Sequence, residues 1–232
     1  MPVWAVLPVK GAKGAKGRLA PALSGAEREA LVRAMLDDVL TALEGSESLD
    51  GVALVSRDEE IRALAKARGH RFIAEDGDGL NPALELAAKV LMDDSVDRLL
   101  ILHGDLPCLE AEDIEAMVHA LEMREDMGPA VVLAPAEGDG GTNALAACPP
   151  DAIRFHFGIN SFTLHVAEAE GAGIAPAVLK RPGLALDIDT VEDLLTLLQT
   201  AGKSATARYL LESGLAERLK QSPKQGDDPH GS

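Results

Sequence analysis

A chain of 232 residues with 47% hydrophobic and 26% charged residues can bury a sizeable core, as one large α/β domain or two small globular ones. Its formal net charge of −16 argues against a general nucleic-acid or anionic-membrane binder, because both require a basic face. We expect neither a secretory leader nor a membrane helix, since no apolar run approaches the ~20 residues that a membrane span needs.

Short apolar runs alternate with amphipathic segments, which predicts strands alternating with helices. The predicted strands are VWAVLPV (3–9), GVALVS (51–56), HRFIA (70–74), DRLLILHGD (97–105) and PAVVLAP (129–135). The predicted helices cover 24 to about 43, 58–68, a segment that begins at Asn81, about 110–122, and 190 to about 200. Capping boxes at Ser24–Glu27 and Thr190–Asp193 open the first and the last of them. Asn81 is the expected cap of the third helix, with Pro82 at its first helical position. This order predicts an α/β fold with a single wound, mostly parallel mixed sheet flanked by helices.

No linker divides the chain, so we expect one domain over residues 1–220 and a polar, disordered tail at 221–232. In open wound sheets, ligands bind beyond the carboxyl ends of the strands. Three segments of unusual composition follow predicted strands, namely KGAKGAKGR (10–18), EDGDGLN (75–81) and HGDLP (103–107). We expect these three segments to share one crevice.

The basic segment KGAKGAKGR places four cations, Lys10, Lys13, Lys16 and Arg18, among glycines directly after the first strand. A glycine-rich turn at this position lets backbone N–H groups approach phosphate, and the side chains add positive charge. The segment is neither a GxxxxGK[ST] loop nor a GxGxxG fingerprint. A solvated, flexible basic turn is the alternative, but the position after the first strand favours phosphate binding.

Three aspartates stand at or near strand ends. Asp105 ends a buried apolar strand, and Asp187 and Asp189 lie two residues apart in LALDIDTVEDL (184–194). In an extended segment, that spacing puts both carboxylates on the same side. Such oxygen ligands suit Mg²⁺ that is held together with substrate phosphates. For Asp105, an ordinary turn starter is the alternative.

Two further segments, EGDGGTNAL (137–145) and FHFGINSF (155–162), combine glycine with hydroxyl side chains. The glycines allow tight backbone geometry beside the Thr142 hydroxyl. Ser161 is expected to cap the following helix, which would leave free N–H groups pointed at an anion. A surface hairpin and a plain helix cap are the alternatives.

Several other chemistries lack their sequence patterns. The two cysteines, Cys108 and Cys148, show no CxxC pattern, so we expect reduced thiols in a cytoplasmic protein. The six histidines lack HExxH spacing, and we expect His103 to pack at a strand end or line a polar surface. There is no GxSxG elbow for a serine hydrolase, and few aromatics are present to stack single-stranded nucleic acid.

The motifs LPVK, a lysine-rich stretch ending in GRL, HGDLP, DGGTNAL, FGINSF and LDIDTVEDL occur in an order typical of one enzyme family. Over residues 3–200 the chain resembles the 2-phospho-L-lactate guanylyltransferase family, which includes phosphoenolpyruvate and 3-phosphoglycerate guanylyltransferases of coenzyme F-420 biosynthesis. The resemblance implies a single nucleotidyltransferase domain of the glycosyltransferase-A (Rossmann-like) type. It also implies Mg²⁺-dependent transfer of GMP from GTP to the phosphate of a three-carbon acid, with release of pyrophosphate.

The resemblance assigns roles by matching motif positions. The positions that match metal-binding carboxylates are Asp105, Asp187 and Asp189, and those that match contacts to the phospho-acid are Thr142, Gly158 and Ser161. The triphosphate loop corresponds to Lys10, Lys16 and Arg18, with Lys16 and Arg18 as the catalytic cations, while Gly79 and Asn81 match the segment near the base. The loop is richer in glycine and lysine than is usual in the family, which leaves open whether Lys13 or Lys16 carries the conserved role.

Two other functions are compatible with the sequence. A nucleotidyltransferase acting on a molybdenum cofactor precursor or a sugar phosphate is the nearest alternative, and a non-catalytic nucleotide-binding module is another. The family implies GTP and a small phospho-acid as partners, and neither nucleic acid nor membrane. The motifs do not separate 2-phospho-L-lactate, phosphoenolpyruvate and 3-phospho-D-glycerate, and the oligomeric state, a homodimer included, stays open.

Overall fold

A computed structural model describes residues 1–12, 14–75, 77, 79–126, 128–138, 140–200 and 204–221. Lys13 of the basic segment lies outside the described residues, as does all of the predicted tail except Gln221. The domain boundary at residue 220 therefore stays a prediction.

Within the described residues, one sheet contains seven strands in the order β3-β2-β1-β4-β6-β5-β7. The strands are β1 (Val3–Pro8), β2 (Gly51–Ser56), β3 (Arg71–Ala74), β4 (Arg98–Leu102), β5 (Ala130–Pro135), β6 (Thr142–Cys148) and β7 (Ala177–Val178). All neighbouring pairs are parallel except those made by β6, which is antiparallel to β4 and β5. This confirms the α/β class and the mostly parallel mixed sheet.

Helices cover both faces of the sheet. They are α1 (Gly25–Gly45), α2 (Glu59–Arg68), α3 (Leu80–Asp93), α4 (Ala111–Glu125), α5 (Ser161–Gly171), α6 (Pro182–Ala185), α7 (Val191–Thr200), α8 (Ala205–Glu212) and α9 (Leu215–Gln221), and a 3-10 turn spans Gly17–Leu19. The predicted capping boxes at Ser24–Glu27 and Thr190–Asp193 are both formed. None of the described helices has the combination of length and apolar composition that crossing a membrane requires.

The central strands are apolar throughout because each of their faces packs on helices. On β4, Leu100 and Leu102 pack with residues of α1 and α4, whereas Leu99 and Ile101 pack with residues of α3 on the other face. The C-terminal helices α7, α8 and α9 add a third apolar cluster against α1. The register of β4 and its neighbours fixes where the chain leaves the sheet, and therefore where polar side chains can gather.

Two expectations about helix caps were wrong, and one strand was not predicted. Asn81 does not cap α3, because the helix already begins at Leu80 with Gly79 as its N-cap, at φ 118°, a conformation that favours glycine. Ser161 is the first residue of α5 rather than its cap, a position taken by Asn160. EGDGGTNAL leads into the unpredicted strand β6, so the hairpin alternative was correct in geometry, although Thr142 is buried.

Candidate active site

The basic loop after β1 is anchored, not loose. Leu19 is fully buried in the C-terminal apolar cluster, where removing such a side chain from water contributes about 1.5–3 kcal/mol. Arg28 of α1 then ties down the chain on either side of the 3-10 turn, donating from Nε to Ala15 O at 3.2 Å and from Nη1 to Leu23 O at 2.7 Å. Residues 15–19 of this loop are therefore held in place, contrary to the flexible-turn alternative for that part of the loop. Sequence patterns gave no signal for the role of Arg28.

Lys16 connects the basic loop to two of the predicted carboxylates. Its Nζ lies 2.6 Å from Asp105 Oδ2 and 2.8 Å from Asp189 Oδ1, while Arg18 Nη1 lies 3.3 Å from Asp189 Oδ2. Lys16 also adopts a left-handed backbone conformation, with φ 53°, which is uncommon outside glycine. Residues from three distant parts of the chain thus converge at the carboxyl end of the sheet.

Charge balance in this cluster depends on burial and pairing. Burial alone would lower the pKa of Lys16, but the carboxylates of Asp105 and Asp189 outweigh it and raise that pKa above its ordinary value. Burial would likewise raise the pKa of Asp105, yet the Lys16 ammonium holds it below its usual range. Both groups are therefore charged at neutral pH.

Asp187 lies beside the same cluster and is positioned by a residue that the sequence analysis missed. The buried Asn143 Nδ2 lies 3.4 Å from Asp187 Oδ1 and also donates to the backbone oxygens of Leu184 and Ala185, at 3.0 and 3.2 Å. The next residue, Ile188, is fully buried and donates its N–H to Asp105 O at 3.1 Å. Asn143 is a polar residue at the start of the apolar run NALAAC, and this break in the pattern is the signal that could have pointed to it.

Whether these carboxylates fit Mg²⁺ can be judged from their donors. The Oδ1 atom of Asp105 is buried and has no hydrogen-bond partner among the described residues, which is costly unless a ligand satisfies it. Carboxylate oxygens are the ligands that Mg²⁺ prefers. No group of three or more metal-ligating side chains is assembled within the described ranges. The carboxylates of Asp105, Asp187 and Asp189 are of the right chemical type for Mg²⁺, but Lys16 Nζ contacts two of them, and the metal site stays a prediction.

A cavity of about 700 Å³ opens at the ends of β1, β2 and β3. Its lining includes Lys10, Gly11, Arg57, Gly79 and Leu80. Gly79 lines this cavity, but its place near the base stays a prediction. Asn81 uses its side chain on Phe157: Oδ1 accepts from the backbone N–H at 2.7 Å and Nδ2 donates to the carbonyl at 3.1 Å. A base contact by Asn81 stays a prediction.

The three positions predicted to hold the phospho-acid lie on β6 and at the start of α5. Thr142 is the first residue of β6, and Gly158 has φ 132°, a conformation that essentially requires glycine. The N–H of Ser161 donates to Gly158 O, and the next N–H, of Phe162, donates to Gly140 O, each at 3.1 Å. The predicted free N–H groups at this helix start are therefore partly used. The Phe162 bond joins the two predicted acceptor segments, whereas the Ser161 bond closes a turn within one of them.

The histidines follow expectation in part. His103 packs edge-on against Phe157, with ring centroids 5.0 Å apart, which confirms strand-end packing. No sequence motif points to His165, yet it is completely buried and contacts Thr142 Oγ1 at 3.0 Å. Nothing in its sequence context distinguishes it from an exposed helix residue.

Comparison with known proteins identifies the family. Residues 3–227 match the family described as guanylyl transferase CofC like. A phosphoenolpyruvate guanylyltransferase from Sphaerobacter thermophilus is 42% identical over 92% of this chain and all of that relative. A 2-phospho-L-lactate guanylyltransferase from Methanothermobacter thermautotrophicus is 36% identical over 98% of this chain and 96% of the relative.

Solved structures show the same fold. A protein described as a nucleotide-diphospho-sugar transferase, from Desulfovibrio desulfuricans, superposes with a TM-score of 0.78 at 22% identity, covering 95% of this chain and 98% of its own. A cytidylyltransferase from Leptospira borgpetersenii gives a TM-score of 0.57 at 14% identity, covering 97% and 98%. At these identities the likeness concerns the fold alone.

Proposed function

Because this chain belongs to the CofC-like guanylyl transferase family, we propose that it transfers GMP from GTP to the phosphate of a small phosphorylated three-carbon acid. Phosphoenolpyruvate is the acceptor we expect to react best, since the relative with 42% identity is named for it. 2-Phospho-L-lactate and 3-phospho-D-glycerate are the other candidates, and the product would serve coenzyme F-420 biosynthesis.

One observation carries the proposal: a cluster of Lys16, Asp105 and Asp189 at the carboxyl end of the sheet. The 700 Å³ cavity lies at the neighbouring strand ends, large enough for a nucleotide, and the cavity and the cluster share the loop that follows β1. Thr142 begins β6, the strand next to β4 on the side away from the cavity, and Ser161 begins α5. An acceptor bound by these residues would approach the cluster from that side.

In the reaction we propose, an oxygen of the acceptor phosphate attacks the α-phosphorus of GTP in line. A new P–O–P bond forms, the bond from the α-phosphorus to the bridging oxygen of the β-phosphate breaks, and pyrophosphate leaves with the electron pair. No general base is needed, because the attacking phosphate is already ionised at neutral pH. Lys16 and Arg18 would bind and orient the triphosphate and stabilise the charge on its oxygens.

Mg²⁺ held by Asp105, Asp189 and Asp187 would neutralise phosphate charge and orient the two reactants. Two features support this assignment. The Oδ1 atom of Asp105 has no hydrogen-bond partner among the described residues, and Asp189 contacts the Lys16 ammonium that also contacts Asp105. Two cysteines without a disulfide, Cys108 and Cys148, are consistent with the cytoplasmic location that we infer.

The decisive experiment incubates the full chain with Mg²⁺, each of four nucleoside triphosphates and a panel of acceptors. We expect pyrophosphate release with GTP and a three-carbon phospho-acid, and a new phosphoanhydride signal by ³¹P NMR. Turnover of CTP with a sugar phosphate, and none of GTP with any of the three acids, would reassign the enzyme.

A variant pair tests the metal ligands and separates catalysis from mere binding. Asp189→Asn should lose nearly all turnover and its dependence on Mg²⁺ concentration. Glu192→Gln removes an exposed carboxylate three residues away, in the first turn of α7, and should behave as wild type. Wild-type turnover in Asp189→Asn would remove Asp189 from the metal site, whereas a wild-type chain that binds GTP without any turnover would be a binding module.

A further inference from the structure

His165 is a buried imidazole on α5 whose two ring nitrogens both make hydrogen bonds. Nε2 lies 2.8 Å from the backbone nitrogen of His156, and Nδ1 lies 3.0 Å from Thr142 Oγ1. The ring is completely buried and packs edge-on against Phe157, with centroids 4.7 Å apart. Its orientation is therefore set by contacts on three sides.

These two contacts determine the tautomer. A backbone N–H can only donate, so Nε2 of His165 must be the acceptor and carries no proton. A neutral imidazole then has its proton on Nδ1, because a ring that accepts at both nitrogens would be an imidazolate, which does not form at neutral pH. Nδ1–H therefore donates to Thr142 Oγ1.

The tautomer of His165 determines which hydrogen bonds the Thr142 hydroxyl can make. Its hydroxyl oxygen accepts from His165, so its own proton must point elsewhere. No other hydrogen bond to Oγ1 is made by the residues that the structure describes, although Thr142 is only 3% exposed. A buried donor without an acceptor is costly, and an incoming ligand oxygen would relieve that cost.

The sheet register places this hydroxyl at the site. Leu102 of β4 pairs with Ala144 of antiparallel β6, so Thr142 lies two residues further on, alongside the exit that carries Asp105. The first turn of α5 is tied to the same region, because Phe162 N–H donates to Gly140 O at 3.1 Å. Thr142 thus stands between the carboxylate cluster and the start of α5.

We propose that His165 is a positioning residue that fixes Thr142 as a hydrogen-bond donor to the phosphorylated acid. His165 touches no substrate itself and acts by occupying the acceptor side of the Thr142 hydroxyl. The substrate part of this inference rests on the proposed function, whereas the tautomer does not.

The tautomer is measured independently of activity. In protein labelled with ¹⁵N-histidine, two-bond ¹H–¹⁵N correlations at neutral pH should show His165 protonated at Nδ1 and bare at Nε2. His165→Asn identifies its signals by their loss. A ring protonated at Nε2, or at both nitrogens, overturns the proposal.

Kinetics test the substrate part with two matched variants. His165→Gln places an amide near Nε2 but has no donor in reach of Thr142, and should raise the KM for the acceptor about tenfold, with the KM for GTP little changed. His165→Asn places an N–H near Nδ1 and should recover most of the acceptor affinity. His119→Asn, on the exposed face of α4, is the control for loss of a histidine.

A double-mutant cycle separates a specific role from a structural one. If His165 acts through the hydroxyl, adding His165→Gln to Thr142→Val should cost nothing further in acceptor KM. Additive losses, or an unchanged acceptor KM in His165→Gln, overturn the proposal while leaving the guanylyltransferase assignment intact. A wild-type enzyme inactive with every three-carbon phospho-acid would instead overturn the proposed function, and the substrate part of this inference with it.

Discussion

The side-chain amide of Asn81 spans the backbone of Phe157, accepting from its N–H at 2.7 Å and donating to its carbonyl at 3.1 Å. Asn81 follows Gly79 and Leu80, which line the 700 Å³ cavity, whereas Phe157 precedes Gly158 of the predicted acceptor segment. One side chain therefore joins the proposed nucleotide half of the site to the acceptor half. The two halves are 76 residues apart in sequence.

Replacing Asn81 by Asp should weaken both halves of the site. The carboxylate keeps the acceptor for Phe157 N–H but faces the carbonyl oxygen without a donor, which should lower the free energy of unfolding by about 2 kcal/mol. We expect the KM values for GTP and for the acceptor to rise together, measured by initial rates alongside urea denaturation. Gln199→Glu makes the same chemical change on an exposed residue of α7 and should alter neither. A rise in only one KM would contradict the joining role.

Lys16→Met should abolish turnover and also destabilise the fold. Without the ammonium, Asp105 loses the partner of its Oδ2 atom, and removing one partner of a largely buried pair is unfavourable, here by about 1–3 kcal/mol after allowing for partial exposure. Lys16→Arg keeps the charge but not a compact ammonium between two carboxylates, so it should recover stability more than turnover. Thermal unfolding and pyrophosphate release measure the two effects. Lys66→Met, on the exposed face of α2, is the control.

Much of the sheet could be predicted because its signals are local. Apolar runs such as GVALVS and helix caps such as Ser24–Glu27 are complete within a few residues, and both occur as expected. Strand β6 was missed because the glycines before it indicate a turn, whereas NALAAC becomes a strand by pairing with β4 and β5. Its place in the sheet is a tertiary property.

The site likewise contains residues that sequence patterns indicate and residues that only the fold reveals. Charged residues that end apolar runs, such as Asp105, attract attention because packing alone does not explain them. Arg28, Asn143 and His165 are equally important to the geometry, but each acts through a partner more than ten residues away. Only the folded chain reveals such pairs, because residue type and spacing alone do not specify which distant carbonyl or hydroxyl a buried side chain meets.

Stability should fall on mild acidification because of His165. Burial, together with the nearby His156 and His103, lowers the pKa of His165 to about 4, and Glu168 opposes this only in part. An unfolded histidine titrates near 6.5, so between these values the unfolded chain binds more protons and unfolding becomes easier as pH falls. The full effect is about 3 kcal/mol, reached near pH 4. The pKa of His103 is also lowered, mainly by burial, and adds in the same direction.

Urea denaturation of His165→Asn and wild type across this pH range tests the assignment. The variant should lose less stability than wild type on going from about pH 6.5 to about pH 4, whatever its stability at neutral pH. His119→Asn should keep the wild-type pH dependence. Parallel curves for wild type and His165→Asn would show that another group is responsible.

Asn143→Asp should disrupt the segment that carries Asp187. The amide nitrogen donates to Leu184 O and Ala185 O, and a carboxylate in its place would face these oxygens with no donor. Asn143 is 4% exposed, so the new charge would also be desolvated, and we expect a loss of about 3 kcal/mol in the free energy of unfolding.

The neutral variant Asn143→Leu separates charge from donation. It removes the donor without introducing a buried charge, and should destabilise less than Asn143→Asp. Because Asp187 Oδ1 lies 3.4 Å from the Asn143 amide nitrogen, both variants should weaken the Mg²⁺ dependence of turnover, measured by titrating Mg²⁺ at saturating GTP. A folded Asn143→Leu protein with wild-type Mg²⁺ dependence would mean that Asn143 supports the chain but not the metal site.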